Sequence, residues 1–142
     1  MTKFQHVPYQ KLVFHCLVKL LLIHNLQLPD DLSVLKDLKP DIVVVMGYGI
    51  LIPSILLNIP KFGFINIHVS LLPRWRGASP IEHSIINGDK ETGISIFQLE
   101  EKLDTGPILN SANIKIEDNF SKYDLTHKLN KLGTSLLNET LP

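Results

Sequence analysis

The chain has 142 residues, 44% of them apolar, with 14 basic and 14 acidic side chains and no low-complexity run. This is one domain's worth of sequence with enough apolar material for a core, and its formal charge of zero excludes the basic footprint of a protein anchored on nucleic acid through phosphates. A single cysteine, Cys16, excludes an internal disulfide and a cysteine-built zinc site, and suits a reducing compartment.

Neither long apolar stretch reads as a membrane span. His15, Lys19 and His24 interrupt Leu12 to Leu28, and Gly47, Gly49 and Pro53 interrupt Ile42 to Ile59. From Met1 to Pro29 there are three lysines and no acid, a pattern shared with organelle presequences, although arginine is absent.

In chain order, Leu12, Val13, Leu17, Leu20 and Leu21 recur at helical spacing and predict a helix from about Tyr9 to Asn25, with Leu26 to Leu28 a short strand closed by Pro29. Asp30 or Asp31 caps a helix through Leu32, Leu35 and Leu38 that Pro40 ends. The β-branched run Ile42 to Met46 predicts a central parallel strand covered on both faces. A glycine turn, Gly47-Tyr48-Gly49, follows it, and Pro53 opens a short helix through Leu57. Phe64 to Pro73 reads as a strand running into a loop. Ser79-Pro80 starts a helix that Asn87-Gly88 ends, Thr92 to Leu99 and Ile108 to Ile116 are strands, and Ser121 to Leu141 is an amphipathic helix with Leu125, Leu129, Leu132, Leu136 and Leu137 on its buried stripe. Alternating helices and strands predict an α/β domain with a doubly wound, mainly parallel sheet and a crevice beyond its C-terminal strand ends.

The chemistry concentrates on the strand before Pro73. Strand side chains alternate, so Ile65, Ile67 and Val69 point one way while Asn66, His68 and Ser70 point the other. Three polar groups on one face cost roughly 1–3 kcal/mol each if buried without partners. Their chemistry suits acyl transfer to an amine, where the attacking nitrogen is itself the nucleophile. An asparagine amide and an imidazole can donate to the developing oxyanion, and a carboxylate can hold the histidine in its useful charge state. Asp104, in the loop Lys102 to Pro107 with Gly106 allowing a tight backbone path, is the candidate carboxylate. A capped turn at Asp104-Thr105 and a satisfied core histidine at His68 remain open as plainer readings. There is no Gly-x-Ser-x-Gly elbow for a Ser70 hydrolase and no complete Gly-x-Gly-x-x-Gly. His68, His83 and Asp104 lack a short metal-ligand spacing, so no metal is expected, and Arg74-Trp75-Arg76 could grip an anion, stack a ring or form a solvated loop.

The runs Asn66 to Pro73, Arg76 to Ile81, Asn87 to Ile94 and Leu103 to Gly106 resemble the methionyl-tRNA formyltransferases. Weaker likeness extends from about Val18 to Pro142, through Pro40 to Val45 and Tyr48-Gly49, with Ile50 where that family usually has glutamine. The resemblance implies a Rossmann-like fold and transfer of a formyl group from 10-formyltetrahydrofolate to the amino group of initiator methionyl-tRNA. It puts Asn66, His68 and Asp104 at the catalytic positions, and Ser70, Leu71, Leu72 and Pro73, with Leu51, beside the folate. It also implies a catalytic domain cut at both ends, without the family's opening strand and its C-terminal tRNA-binding domain. Expected partners are the folate and, weakly, the tRNA, for a monomer with no membrane role in the cytoplasm, or alternatively the mitochondrial matrix. Other classes stay open: a non-catalytic folate-binding remnant, or formyl transfer to a sugar-nucleotide or glycinamide ribonucleotide amine.

Overall fold

The structure, a computed structural model, describes residues 30–141. Cys16, the helix expected from Tyr9 to Asn25 and the strand expected at Leu26 to Leu28 lie outside them. The order is α1 (Asp30–Leu38), β1 (Val43–Met46), α2 (Ser54–Leu57), β2 (Phe64–His68), α3 (Pro80–Ile86), β3 (Glu91–Gln98), β4 (Ile108–Lys115) and α4 (Lys122–Thr140). Punctuation residues set these limits. Lys39 turns left-handed after α1 and its amide donates to the Leu35 carbonyl, Pro80 occupies the first turn of α3, and Ser121 with Asp124 forms a reciprocal capping box on α4.

The four strands lie in the order β1-β2-β3-β4. Expected to be mainly parallel, the described sheet is mixed: β1 and β2 run parallel, while β2–β3 and β3–β4 are antiparallel. β4 explains part of this. Ile108–Lys115 alternates half-buried with exposed residues along most of its length, as an antiparallel strand with one solvated face does. β1 also departs from expectation, being outermost among the described strands, with Val44 36% and Met46 51% exposed.

Helices cover both faces. On one, Ile65, Ile67, Ile94 and Ile96 pack with Ile81 of α3 and Leu125, Leu129 and Leu136 of α4. Gly133 of α4 faces Ile67 and Ile94. On the other, Phe64 packs with Leu35 of α1 and with Ile52, Leu56 and Leu57 in and before α2. Each fully buried large side chain contributes about 1.5–3 kcal/mol of hydrophobic stabilisation, and the two layers clamp β2 between them. Its C-terminal end, where Asn66 and His68 emerge, is therefore held from both sides. No helix among the described residues is long and apolar enough to cross a membrane.

Candidate active site

Register fixes what shares a face with His68. Asn66 pairs with Phe97 and His68 with Ser95, so these four side chains point away from the Ile65, Ile67 and Ile96 layer. The His68 ring meets Phe97 edge-on, with centroids 6.5 Å apart. His68 is buried, and Asn66 Oδ1 is a buried oxygen without a hydrogen-bond partner among the described residues. An orphaned buried acceptor is costly unless something arrives to satisfy it.

Asp104 reaches this face from a loop that folds back after β3. Gly106 packs directly on the Gln98 carbonyl, the Gln98 amide donates to the Pro107 carbonyl at 3.0 Å, and the loop is pinned to the end of the strand. Close approach at Gly106 is thus to backbone. Asp104, buried and left-handed, turns its carboxylate inward, where Oδ2 accepts the Gly77 amide at 2.7 Å and lies 3.9 Å from His68 Nδ1. That separation exceeds a hydrogen bond. On its other side the imidazole is committed: Nε2 is 2.8 Å from the Trp75 carbonyl. A carbonyl only accepts, so Nε2 carries the proton and the neutral ring keeps its lone pair on Nδ1, toward Asp104.

The loop after β2 supplies both contacts. Ser70 is fully buried, its hydroxyl donates to the Arg74 carbonyl at 2.6 Å, and its own carbonyl accepts from Ser95 Oγ at 2.8 Å. Leu71 and Leu72 are half-buried, Pro73 is exposed, and Leu51 stands 56% exposed in the segment after β1. Because β1 and β2 are parallel, that segment and the loop after β2 leave the sheet at the same end. Arg74 and Trp75 do not form an open grip. The Arg74 fork donates to Asp89 at 2.6 and 3.0 Å, Trp75 Nε1 donates to Asp89 at 2.7 Å, and the Trp75 ring stacks on His83. Hydrogen bonding from Arg74 holds the Asp89 carboxyl below the ordinary aspartate range, with Trp75 adding to it and burial opposing.

Sequence reasoning reached Asn66, His68 and Asp104, which the fold brings to one place, but missed Trp75, Gly77, Asp89 and Ser95 as their supports. Ser95 carried a signal, a hydroxyl inside the apolar run Ile94 to Phe97. Asp89 was hidden behind the helix-ending Asn87-Gly88. No group of metal-binding side chains forms among the described residues. A cleft of about 940 Å³ lined by Leu71, Trp75, Lys90 and Lys115, among others, backs onto the same loop but includes none of Asn66, His68 or Asp104.

Comparison with known proteins fits this geometry into a family. Residues 11–141 match the family described as Formyl transferase. A methionyl-tRNA formyltransferase of Wolbachia sp. subsp. Drosophila simulans (strain wRi) is 56% identical over 106 residues, which is 75% of this chain and 36% of the relative. One from Francisella philomiragia is 50% identical over 113 residues, 80% of this chain and again 36% of the relative. The chain therefore spans about a third of the length of these curated relatives. Among solved structures, phosphoribosylglycinamide formyltransferase from Bacillus halodurans superposes with a TM-score of 0.72 at 35% identity, over 78% of this chain and 57% of that one. With the family pattern running from residue 11 to residue 141, the chain belongs to the formyl transferase family.

Proposed function

We propose that this chain carries the chemical centre for moving a formyl group from 10-formyltetrahydrofolate to the amino group of methionyl-tRNA, with Asn66, His68 and Asp104 as the catalytic residues. The observation that carries the reading is the convergence of an unpartnered Asn66 amide oxygen, the His68 ring and the Asp104 carboxylate 3.9 Å from its Nδ1. The choice of amine rests on the curated relatives, which are named methionyl-tRNA formyltransferase at 50–56% identity.

The step forms a bond between the amine nitrogen and the formyl carbon and breaks the bond from that carbon to N10 of the donor. The amine gives up one proton and N10 takes one up. Asn66 presents its amide to the reacting carbonyl and amine, its NH₂ group as donor and its oxygen as acceptor. His68 Nδ1 accepts the proton released by the amine, and Asp104 stabilises the resulting imidazolium. The protonated ring can then donate to the leaving nitrogen, so His68 works as base and then acid. One well-placed donor at a developing oxyanion is worth about 10² to 10³ in rate.

The donor's binding surface in this reading is the apolar rim of Leu51, Leu71, Leu72 and Pro73, while Ser70 contributes by holding the loop from within. In this reading the protein works as a monomer in the cytoplasm. A second reading keeps the chemistry and changes the amine, because the structural neighbours include phosphoribosylglycinamide formyltransferases. Offering the purified chain 10-formyltetrahydrofolate with methionyl-tRNA and, separately, with glycinamide ribonucleotide tests both. Formylation of the tRNA supports the first reading, formylation of the ribonucleotide alone the second, and silence of a folded chain on both amines contradicts the catalytic assignment.

A further inference from the structure

We propose that Asp89 is a positioning residue for His68: through Arg74 and Trp75 it fixes which ring nitrogen of His68 carries the proton. The route is continuous. Asp89 receives three hydrogen bonds, two from the Arg74 guanidinium and one from the Trp75 indole, and its side chain is only 12% exposed. Those bonds hold the two residues whose backbone carbonyls face the site, Arg74 bonding to Ser70 Oγ and Trp75 to His68 Nε2.

The loop needs such an anchor. Trp75 has φ +59, a left-handed backbone that costs an L-residue roughly 1–2 kcal/mol, and Ser79 follows with φ +56. Left alone, Trp75 would relax to negative φ, and its peptide would rotate the carbonyl away from His68 Nε2. The ring is held as well: the Arg74 guanidinium lies 4.2 Å from the Trp75 centroid and His83 stacks on it at 5.2 Å with planes 12° apart. This packing accounts for Arg74 and Trp75 without a bound anion or base. Two residues on, the same loop gives the Gly77 amide to Asp104 Oδ2. One segment therefore aims both members of the His68 and Asp104 pair, and Asp89 holds its outer side.

With the carbonyl in place, the neutral imidazole has its proton on Nε2 and its lone pair on Nδ1. Without it, the two tautomers compete, and protonation at Nδ1 leaves no acceptor facing Asp104 and the incoming amine. The effect is on His68, so Asp89 itself does not touch substrate. The kinetic consequence rests on the formyl-transfer reading, whereas the ring state does not.

The experiment uses the full chain labelled with ¹⁵N in its histidines, with His68 assigned through His68→Gln. The neutral ring of the wild type is expected as the Nε2-protonated tautomer. In Asp89→Asn the ring nitrogen shifts should move toward a mixture, and kcat should fall about tenfold or more with KM for the formyl donor nearly unchanged, the scale expected of a modest misplacement. Asp118→Asn, which removes an exposed carboxylate paired with Lys90, should move neither. Should Asp89→Asn fail to fold, Arg74→Lys replaces the fork by a single contact and is read the same way. A folded Asp89→Asn protein with the wild-type tautomer overturns the proposal. Absence of turnover in the wild type overturns the formyl-transfer reading instead, and the ring signature still decides the role of Asp89.

Discussion

Gly106→Ala should cost both stability and rate, because one methyl group at that position collides with the strand that carries the site. A Cβ on Gly106 would lie 1.7 Å from the Gln98 carbonyl oxygen and 2.9 Å from its carbon. Ordinary contact needs about 3.5 Å, so strand and loop must part by roughly 1.5–2 Å. Neither neighbour is a flexible side chain: the obstacle is the backbone of β3. Overpacking costs roughly 1–3 kcal/mol, and loss of the bond from the Gln98 amide to the Pro107 carbonyl roughly 0.5–1.5 kcal/mol more. At some 2–4 kcal/mol the melting temperature should fall by about 10 °C. Asp104 sits two residues before Gly106, and a shift of about 1 Å in a positioned group costs about 10²-fold in rate. Thermal unfolding and initial rates of formyl transfer on the same preparation measure both. A folded variant that melts with the wild type would refute the packing, and one that loses stability while keeping full rate would refute the dependence of catalysis on where this loop puts Asp104.

Asn66→Ala should lower turnover by about 10² to 10³ while changing thermal stability by less than about 1 kcal/mol, since its amide oxygen is already unpartnered; a large loss of stability with normal turnover would contradict its role. Gly133→Ala should raise stability by up to about 1 kcal/mol in chemical denaturation, because the added methyl meets Ile67 and Ile94 at ordinary distances of 3.5–3.8 Å and removes a glycine from a helix interior; destabilisation would show that α4 must approach closer than it does here. Acid should weaken the fold through Asp89. Its folded-state pKa lies below the unfolded value of about 3.9, so its contribution is complete above that pH and is lost as pH falls toward the folded value. Denaturant midpoints followed down from pH 6 should therefore drop less steeply in Asp89→Asn than in the wild type, and identical slopes would contradict the shift.

The strand that bears the site was legible because its signal is local. Period-two alternation separated Ile65 and Ile67 from Asn66 and His68, and the register to β3 preserves that division. Helix limits were equally local, written in Pro40, Ser79-Pro80, Asn87-Gly88 and Ser121. Strand direction was not, since it depends on how strands distant in sequence pair, and β3 and β4 turned out antiparallel neighbours. The valines of β1 read as buried on both faces, yet burial depends on what packs over them, and Val44 and Met46 stay exposed.

At the site the division is similar. Asp104 could be named as a carboxylate on a tight loop, but its closeness to His68 depends on Gly106 against Gln98 and on Gly77, the latter a contact between residues 27 apart in sequence. Ser70 shows the converse. Its hydroxyl on the polar face needed a partner, and the fold supplies one within the loop, the Arg74 carbonyl.

The most direct test of the account is transfer of a labelled formyl group from 10-formyltetrahydrofolate to methionyl-tRNA by the purified chain, set beside His68→Ala with folding of both checked by circular dichroism. The account predicts label on the methionine amine with the wild type and loss of at least about 10²-fold with the variant. Equal transfer by the two folded proteins would contradict it.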